Sequence, residues 1–242
     1  MERGMMPTSV FDINRKHSVN AAYFSDIDTQ EKAYWLGFIW ADGSINKTAP
    51  RCSGPNRFTL SQIETESDHL QAFMQAVECS YTPVLRDRDR TPGKRTLVLN
   101  INSRPFCMAL ENLGYGTKEQ RTGIPPMPQE LVHHFIRGYF DGDGCLSVYK
   151  QNRTRRQEWS LTGNEKLLVE IQKTLNAETS VSKNVKLKRY KRTTKAVGLR
   201  YGRRSDIPSL YDYMYKDATV YMESKHRKFE MFFQREHAAQ NS

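Results

Sequence analysis

The sequence predicts an α+β fold made of two pseudo-symmetric αββαββα repeats. Three observations lead to it. A nine-residue stretch occurs twice, as W-L-G-F-I-W-A-D-G at 35–43 and I-R-G-Y-F-D-G-D-G at 136–144. The order helix, two strands, helix, two strands, helix that starts with the first copy returns with the second. Neighbouring strand-like segments are joined by short turns, which favours antiparallel sheets.

Each element has a local reason. Residues 1–27 read as a polar N-terminal extension anchored by Val19, Tyr23 and Phe24, and the first repeat spans 28–115. Asp28 with Glu31 three residues on looks like a capping box. The first helix runs from about Glu31 to the Asp-Gly, where Gly43 ends it. Strands are expected near 44–47 and 57–63, with Phe58, Leu60 and Gln62 on one face, separated by a loop rich in proline and glycine. Residues 65–68 cap a helix carrying Leu70, Phe73, Met74 and Val77 at helical spacing. Two more strands follow near 82–88 and 94–102; Leu97, Leu99 and Ile101 make the apolar face of the latter. Ser103 then opens a helix that ends at Gly114.

Residues 116–127 read as a linker stiffened by Pro125 and Pro126, and 128–242 as the second repeat with a C-terminal helix. There the order returns: a helix over 129–141, strands near 145–151 and 156–162, and a helix capped by Asn164. Strands near 180–190 and 196–203, a helix over 205–215 and a last helical segment over 220–235 complete it. His133 and His134 at the start of the second motif helix are expected on its surface.

Composition narrows the function. The chain has 242 residues, with 37 Lys and Arg against 27 Asp and Glu, a net charge of +10. That excess points to a polyanionic partner, nucleic acid more readily than a membrane surface. No apolar run is long enough to span a bilayer, and the N-terminus lacks the apolar core of a signal peptide, so a cytoplasmic protein is expected. The four cysteines are singly spaced and suggest buried or idle thiols, with neither zinc nor disulfides.

The two motifs carry the chemistry. Small residues four apart (Gly37 and Ala41, Gly138 and Gly142) let two helices approach closely. If the helices cross as partners, their ends bring Asp42 and Asp143 together. Two neighbouring carboxylates need a proton or a cation between them, and helix C-termini favour cations. Hard oxygen ligands suit Mg²⁺, and beside a basic surface this is an arrangement for metal-assisted phosphodiester hydrolysis. A single Asp-Gly after a helix is usually a plain turn. Two copies at matching places are harder to dismiss.

Together with the tail Y-M-E-S-K-H-R-K-F at 221–229, these stretches resemble the paired motifs of the LAGLIDADG homing endonucleases, in the single-chain form. The resemblance covers nearly the whole chain. It implies a saddle of antiparallel sheets with the motif helices packed at its centre, and a monomer. The activity implied is a double-strand break in DNA, made across the minor groove and leaving short 3′ overhangs. It also implies two or three Mg²⁺ ions, with Mn²⁺ as a substitute and Ca²⁺ binding without supporting cleavage. Asp42 and Asp143 would hold the metals, helped by the carbonyls of Ala41 and Gly142. Lys118 and Lys225 match the basic residue that flanks the cleaved phosphate. Gln62 matches a polar residue that positions water, for which the second half offers only Ser160 or Thr162. Trp40 and Asp141 occupy the motif's earlier acid position, which does not bind metal in the family. Arg137 departs from the usual small residue, with solvent or a carboxylate as its alternatives.

Residues 179–205 hold ten Lys or Arg and no acid, on two expected strands. A β-ribbon of this kind can enter a DNA groove. The candidate DNA contacts are Arg51, Arg57, Arg86, Arg88, Lys94 and Arg95 in the first half. In the second they are Arg153, Arg155, Gln157, Lys183, Lys186, Lys188, Arg189, Lys191, Arg192, Arg200 and Arg203. Most would hold phosphates and a minority would read bases. Asp206 with Glu223 and Lys225 mimics another nuclease pattern, but that pattern needs strands where this chain predicts helix. The leading reading is a site-specific endonuclease with a long, non-palindromic target. Its alternatives on the same fold are an RNA-binding intron maturase and a catalytically silent DNA-binding regulator.

Overall fold

A computed structural model describes residues 16–88, 93–151, 154–190 and 196–240, the side chains of 151, 154, 155, 239 and 240 excepted. The first half consists of α1 (Gln30–Asp42), β1 (Ser44–Asn46), β2 (Arg57–Ile63), α2 (Ser67–Ala76), β3 (Val84–Asp87), β4 (Arg95–Ile101) and α3 (Arg104–Asn112). The second repeats that order with α4 (Val132–Asp143), β5 (Gly144–Gln151), β6 (Thr154–Gly163), α5 (Glu165–Glu178), β7 (Lys188–Arg189), β8 (Val197–Tyr201) and α6 (Asp206–Tyr215), and adds α7 (Glu223–Gln240). Each half holds a four-stranded antiparallel sheet, ordered β1-β2-β4-β3 and β5-β6-β8-β7. The predicted α+β repeats are therefore present.

The halves meet along α1 and α4, which pack over most of their length. Sequence dictates this contact. A Cβ on Gly37 would overlap the carbonyl oxygen of Phe135, and a Cβ on Gly138 would overlap that of Tyr34. The two clashes are mirror copies, so the crossing is pseudo-twofold. One turn on, a Cβ at Gly142 would lie 2.5 Å from that of Ala41, so only one of the pair can carry a methyl group. Around the crossing, nine consecutive residues of α1, Ala33 to Ala41, are buried. Burial of this kind on both sides is the main stabilising term for such a seam.

Each sheet has a covered and an open face. In β2, Phe58, Leu60 and Gln62 are buried while Ser61 and Ile63 are exposed. Register then puts Thr59, Ser61 and Ile63 beside Asn100, Val98 and Thr96 on the open side. In the second sheet the open side carries Cys145, Ser147 and Tyr149 beside Ser160, Glu158 and Arg156.

Several local expectations are corrected. The N-cap of α1 is Thr29, whose Oγ1 accepts from the Lys32 amide, while Asp28 forms an ion pair with Lys32 at 2.8 Å. The strand expected over 180–190 is only Lys188–Arg189. Before it the chain is held as a loop, because Ser182 and the backbone at 203 donate to Asp206 and Ser180 donates to Ser209. Gln172 also takes the Val185 carbonyl, which a ladder would have needed. The final helix starts at Glu223, three residues later than expected. Among the described residues no helix is long and apolar enough to cross a membrane.

Candidate active site at the ends of the motif helices

α1 and α4 end in Asp42 and Asp143, and the crossing brings these ends together. The Cβ position of Gly142 lies 3.5 Å from Oδ2 of Asp42. Burial pushes the Asp42 carboxyl above its ordinary range, opposed by a hydrogen bond from Gln62 and by the charges of Lys118 and Lys225. Gln62 reaches it from β2 with Nε2 at 3.0 Å from Oδ2. Asp143 is pushed further, to about 6, first by burial, with Asp42 adding to the rise and Lys118, Lys225 and Arg121 opposing it. Two desolvated carboxylates that feel each other favour either a proton or a cation between them. Among the described residues, no cluster of three or more His, Cys, Asp or Glu forms a metal-binding group.

Three cations surround the pair, each from a different place. Lys118 Nζ stands 3.8 Å from Asp143 Oδ2, and its side chain is 60% exposed. Lys225, near the start of α7, is half-buried and donates to the Gly144 carbonyl just past Asp143. Arg121 is the residue that sequence reasoning missed. It sits in the stretch read as a linker, yet it is 3% exposed and its guanidinium lies 3.8 Å over the Tyr115 ring. It donates to the carbonyls of Gly116, Trp40 and Gly43, the last at 2.8 Å. Tyr115 adds a hydrogen bond to the Ile39 carbonyl. The free carbonyls at the end of α1 are thus capped by a buried cation, which also complements the negative end of the helix dipole. Arg121 and Lys225 are geometric counterparts, since each grips the carbonyl of the glycine after its motif acid. Lys118 makes no such grip.

The rest of the motif builds the frame. Trp40 packs edge-on against Tyr115 and Phe135. Its counterpart Asp141 is 1% exposed and accepts from Tyr34 and Tyr215 hydroxyls at 2.8 Å and from the Met222 amide at 2.7 Å. Because the single Tyr34 proton goes to Asp141, His69 Nε2 must donate to Tyr34. Arg137 is fully buried, donating to the carbonyls of Met214 and Val220 and contacting His134 Nδ1. Neither solvent nor a direct carboxylate contact is its partner, although Asp141 is near enough to help hold its charge. His134 is likewise buried, a correction to the expected helix surface; burial and the adjacent guanidinium push it down to about 3.

The DNA-contact candidates fall into three sets. Arg51, Arg86, Arg88, Lys94, Lys183, Lys186, Lys188 and Arg203 are exposed, with Arg86 and Lys188 in register with the open faces. Arg57, Arg95, Gln157, Arg189 and Arg200 already have partners: Asn102, Glu64, the Gly202 carbonyl, Glu165, and Glu158 with Tyr190. Gln157 also lies on the covered side of β6. Arg153, Lys191 and Arg192, and the side chain of Arg155, lie outside the described residues. Ser160 and Thr162 lie on the open face of β6. Asp206 is consumed in holding the 180–187 loop, so it forms no site with Glu223 and Lys225.

Residues 130–210 match a family model described as a LAGLIDADG-like domain. No curated protein matches the sequence. Solved structures match the fold over nearly the whole chain. The meganuclease I-SmaMI bound to uncleaveable DNA is 11% identical with a TM-score of 0.58, covering 89% of this chain and 91% of that one. The LAGLIDADG meganuclease I-AabMI bound to uncleaved DNA is 9% identical with a TM-score of 0.57, covering 86% and 91%. The LAGLIDADG homing endonuclease I-GzeII in complex with its DNA target is 12% identical with a TM-score of 0.54, covering 84% and 88%. The fold is that of the single-chain, two-motif LAGLIDADG homing endonucleases.

Proposed function

We propose that this chain, which carries the two-motif LAGLIDADG fold, is a site-specific DNA endonuclease that makes a double-strand break by divalent-metal-dependent hydrolysis. The observation that carries the reading is the pairing of Asp42 and Asp143, two desolvated carboxylates at the ends of the crossed motif helices with three cations around them. A protein that only bound DNA would gain nothing from acids beside the phosphates. The structures similar to it include I-SmaMI bound to an uncleaved DNA target in the presence of calcium ions and I-SmaMI bound to cleaved DNA.

The donor set fits a hard cation. Two carboxylates and the neighbouring carbonyls of Ala41 and Gly142 supply oxygen ligands only, leaving positions for water and phosphate oxygens, which suits Mg²⁺. A bound divalent metal would supply an acidified water and charge neutralisation at the phosphate. The chain's own groups do the rest. Asp42 and Asp143 would hold the cations at the seam. Gln62 spends its amide N–H on Asp42, which leaves its Oε1 to accept from an attacking water and aim it. Lys118, long and exposed, can leave Asp143 for a phosphate oxygen, whereas Lys225 is half-buried and tied to the Gly144 carbonyl. Both offset charge that grows on the phosphate during attack. The two motifs in one chain make a monomer sufficient, and the unlike halves suit a non-palindromic target.

The test is cleavage of a randomised duplex library in Mg²⁺, with Ca²⁺ in parallel to retain binding. Asp42→Asn and Asp143→Asn each abolish double-strand cutting, by at least ~10³-fold, and keep binding in Ca²⁺. Normal cutting by the double variant sinks the reading. Tight binding to structured RNA with no DNA binding replaces it with the maturase role.

A further inference from the structure

The two half-sites do not share one polar group for water. α1 and α4 align with a constant offset of 101, from Gly37 and Gly138 to Gly43 and Gly144, so Phe38 matches Tyr139. The strands keep the same offset, because Ser44 pairs Thr59 where Cys145 pairs Ser160. Gln62 therefore matches Gly163. The next strands agree: Gln62 pairs Leu97 and Gly163 pairs Val197. Neither Ser160 nor Thr162 occupies the place of Gln62.

What fills that place is Tyr139. A Cβ on Gly163 would overlap the Tyr139 hydroxyl, and that hydroxyl donates to the Thr162 carbonyl at 3.0 Å. The exchange is reciprocal. The first half has an apolar helix residue and a polar strand residue; the second has a polar helix residue and no strand side chain at all. Tyr139 is buried to 3% exposure, and its hydroxyl senses both motif acids: burial, then the charges of Asp143 and Asp42, push its ionisation well above the usual range. It stays a neutral phenol with its proton committed to Thr162. Its oxygen lone pair is the remaining function, and it can accept from a water as Gln62 Oε1 can.

We infer that Tyr139 is the second half's positioning residue, the counterpart of Gln62 delivered from the helix instead of the strand, and that the two strands are consequently cut by unequal steps. This rests on the endonuclease reading above. Gly163 follows from it as the residue that makes room for the hydroxyl. Its φ is not positive, so a side chain at 163 is excluded by Tyr139 and not by the backbone.

The experiment compares the parent, Tyr139→Phe, Gln62→Ala and the double variant Tyr139→Phe/Gly163→Gln on supercoiled DNA with end-labelled strands. Tyr139→Phe slows one strand ~10- to 100-fold and accumulates nicked circles; Gln62→Ala slows the other strand. The double variant, which rebuilds the first half's arrangement in the second, recovers the lost strand. Tb³⁺ luminescence supplies a readout apart from cutting: Tyr139→Phe keeps the parent's affinity within about 3-fold, whereas Asp143→Asn loses at least ~10-fold. Parental rates on both strands, equal slowing of both, or a Tb³⁺ loss matching that of Asp143→Asn each overturns the assignment while leaving the nuclease intact. A parent chain that binds DNA and never cuts it overturns the nuclease reading instead.

Discussion

The two halves keep identical backbone contacts and divergent side chains. Gly37 and Gly138 make mirror-image approaches, and no larger residue fits at either place. At four equivalent places around the acids the side chains differ: Trp40 corresponds to Asp141, Ala41 to Gly142, Gln62 to Gly163, and Arg121, by the glycine carbonyl it grips, to Lys225. The crossing is fixed by sterics, whereas each neighbouring position has more than one physical solution. In the first half Trp40 fills its site with aromatic surface. In the second, Asp141 fills it with a carboxylate whose three donors tie α1, α6 and the approach to α7 onto α4.

That contrast breaks most sharply at Asp141. Asp141→Leu leaves the buried Tyr215 hydroxyl and the Met222 amide unpaired, leaves the Tyr34 hydroxyl with His69 alone, and frees the approach to α7. The expected loss is about 3–5 kcal/mol, by analogy with removing one partner of a buried charged network. Trp40→Phe keeps ring packing and gives up only an indole nitrogen that has no partner among the described residues, so roughly 1 kcal/mol is expected. Chemical denaturation of the two variants makes the comparison, with hydrogen exchange at 223–235 reading the release of α7. Equal losses would mean that Asp141 does no more than fill space.

The second contrast is between the buried caps. Arg121→Met strands the carbonyls of Trp40 and Gly43 next to Asp42, and Lys225→Met strands that of Gly144 next to Asp143. Each lowers cutting by roughly 10- to 100-fold through misplacement of its acid, with DNA affinity in Ca²⁺ little changed. Arg121→Lys recovers only part, because one ammonium cannot span three carbonyls as the planar fork does. Rate assays on both strands decide it. Full activity in Arg121→Met would reduce Arg121 to a linker staple.

Much of this architecture is legible in the sequence, and the failures have a common cause. The repeated motif, the alternation in β2 and β4, and the caps Ser103 and Asn164 are local signals, and all stand where expected. What escapes is set by distant partners. Residues 180–187 alternate like a strand but are pulled into a loop by Asp206 and Gln172. Arg121 lies in a polar stretch before two prolines, and only the folded chain shows that its target is the end of α1, about 80 residues back. His134 reads as surface from its polarity, yet it is buried against Arg137. Tyr139 reads as one more apolar position until the strand register puts it against Gly163.

The smallest effects concern the open faces, where the halves differ in how many cations are free. Counting charge alone makes the second half the stronger DNA holder, since 179–205 carries ten basic residues. Partnering alters the count. Arg189 and Arg200 are held by Glu165 and Glu158, as Arg95 is held by Glu64 in the first half, so each must give up an ion pair to meet a phosphate. Arg86, Arg156 and Lys188 are exposed on the open faces and, among the described residues, have no carboxylate within ion-pair distance. Replacing any one of these three by Gln lowers the slope of log affinity against log salt by ~0.9, the value for a single neutralised phosphate. Arg95→Gln and Arg189→Gln shift it by less than half of that. Equal slopes for the two groups would mean that the ion pairs open on DNA at no cost, and charge count would then outweigh partnering as the guide to which half grips harder.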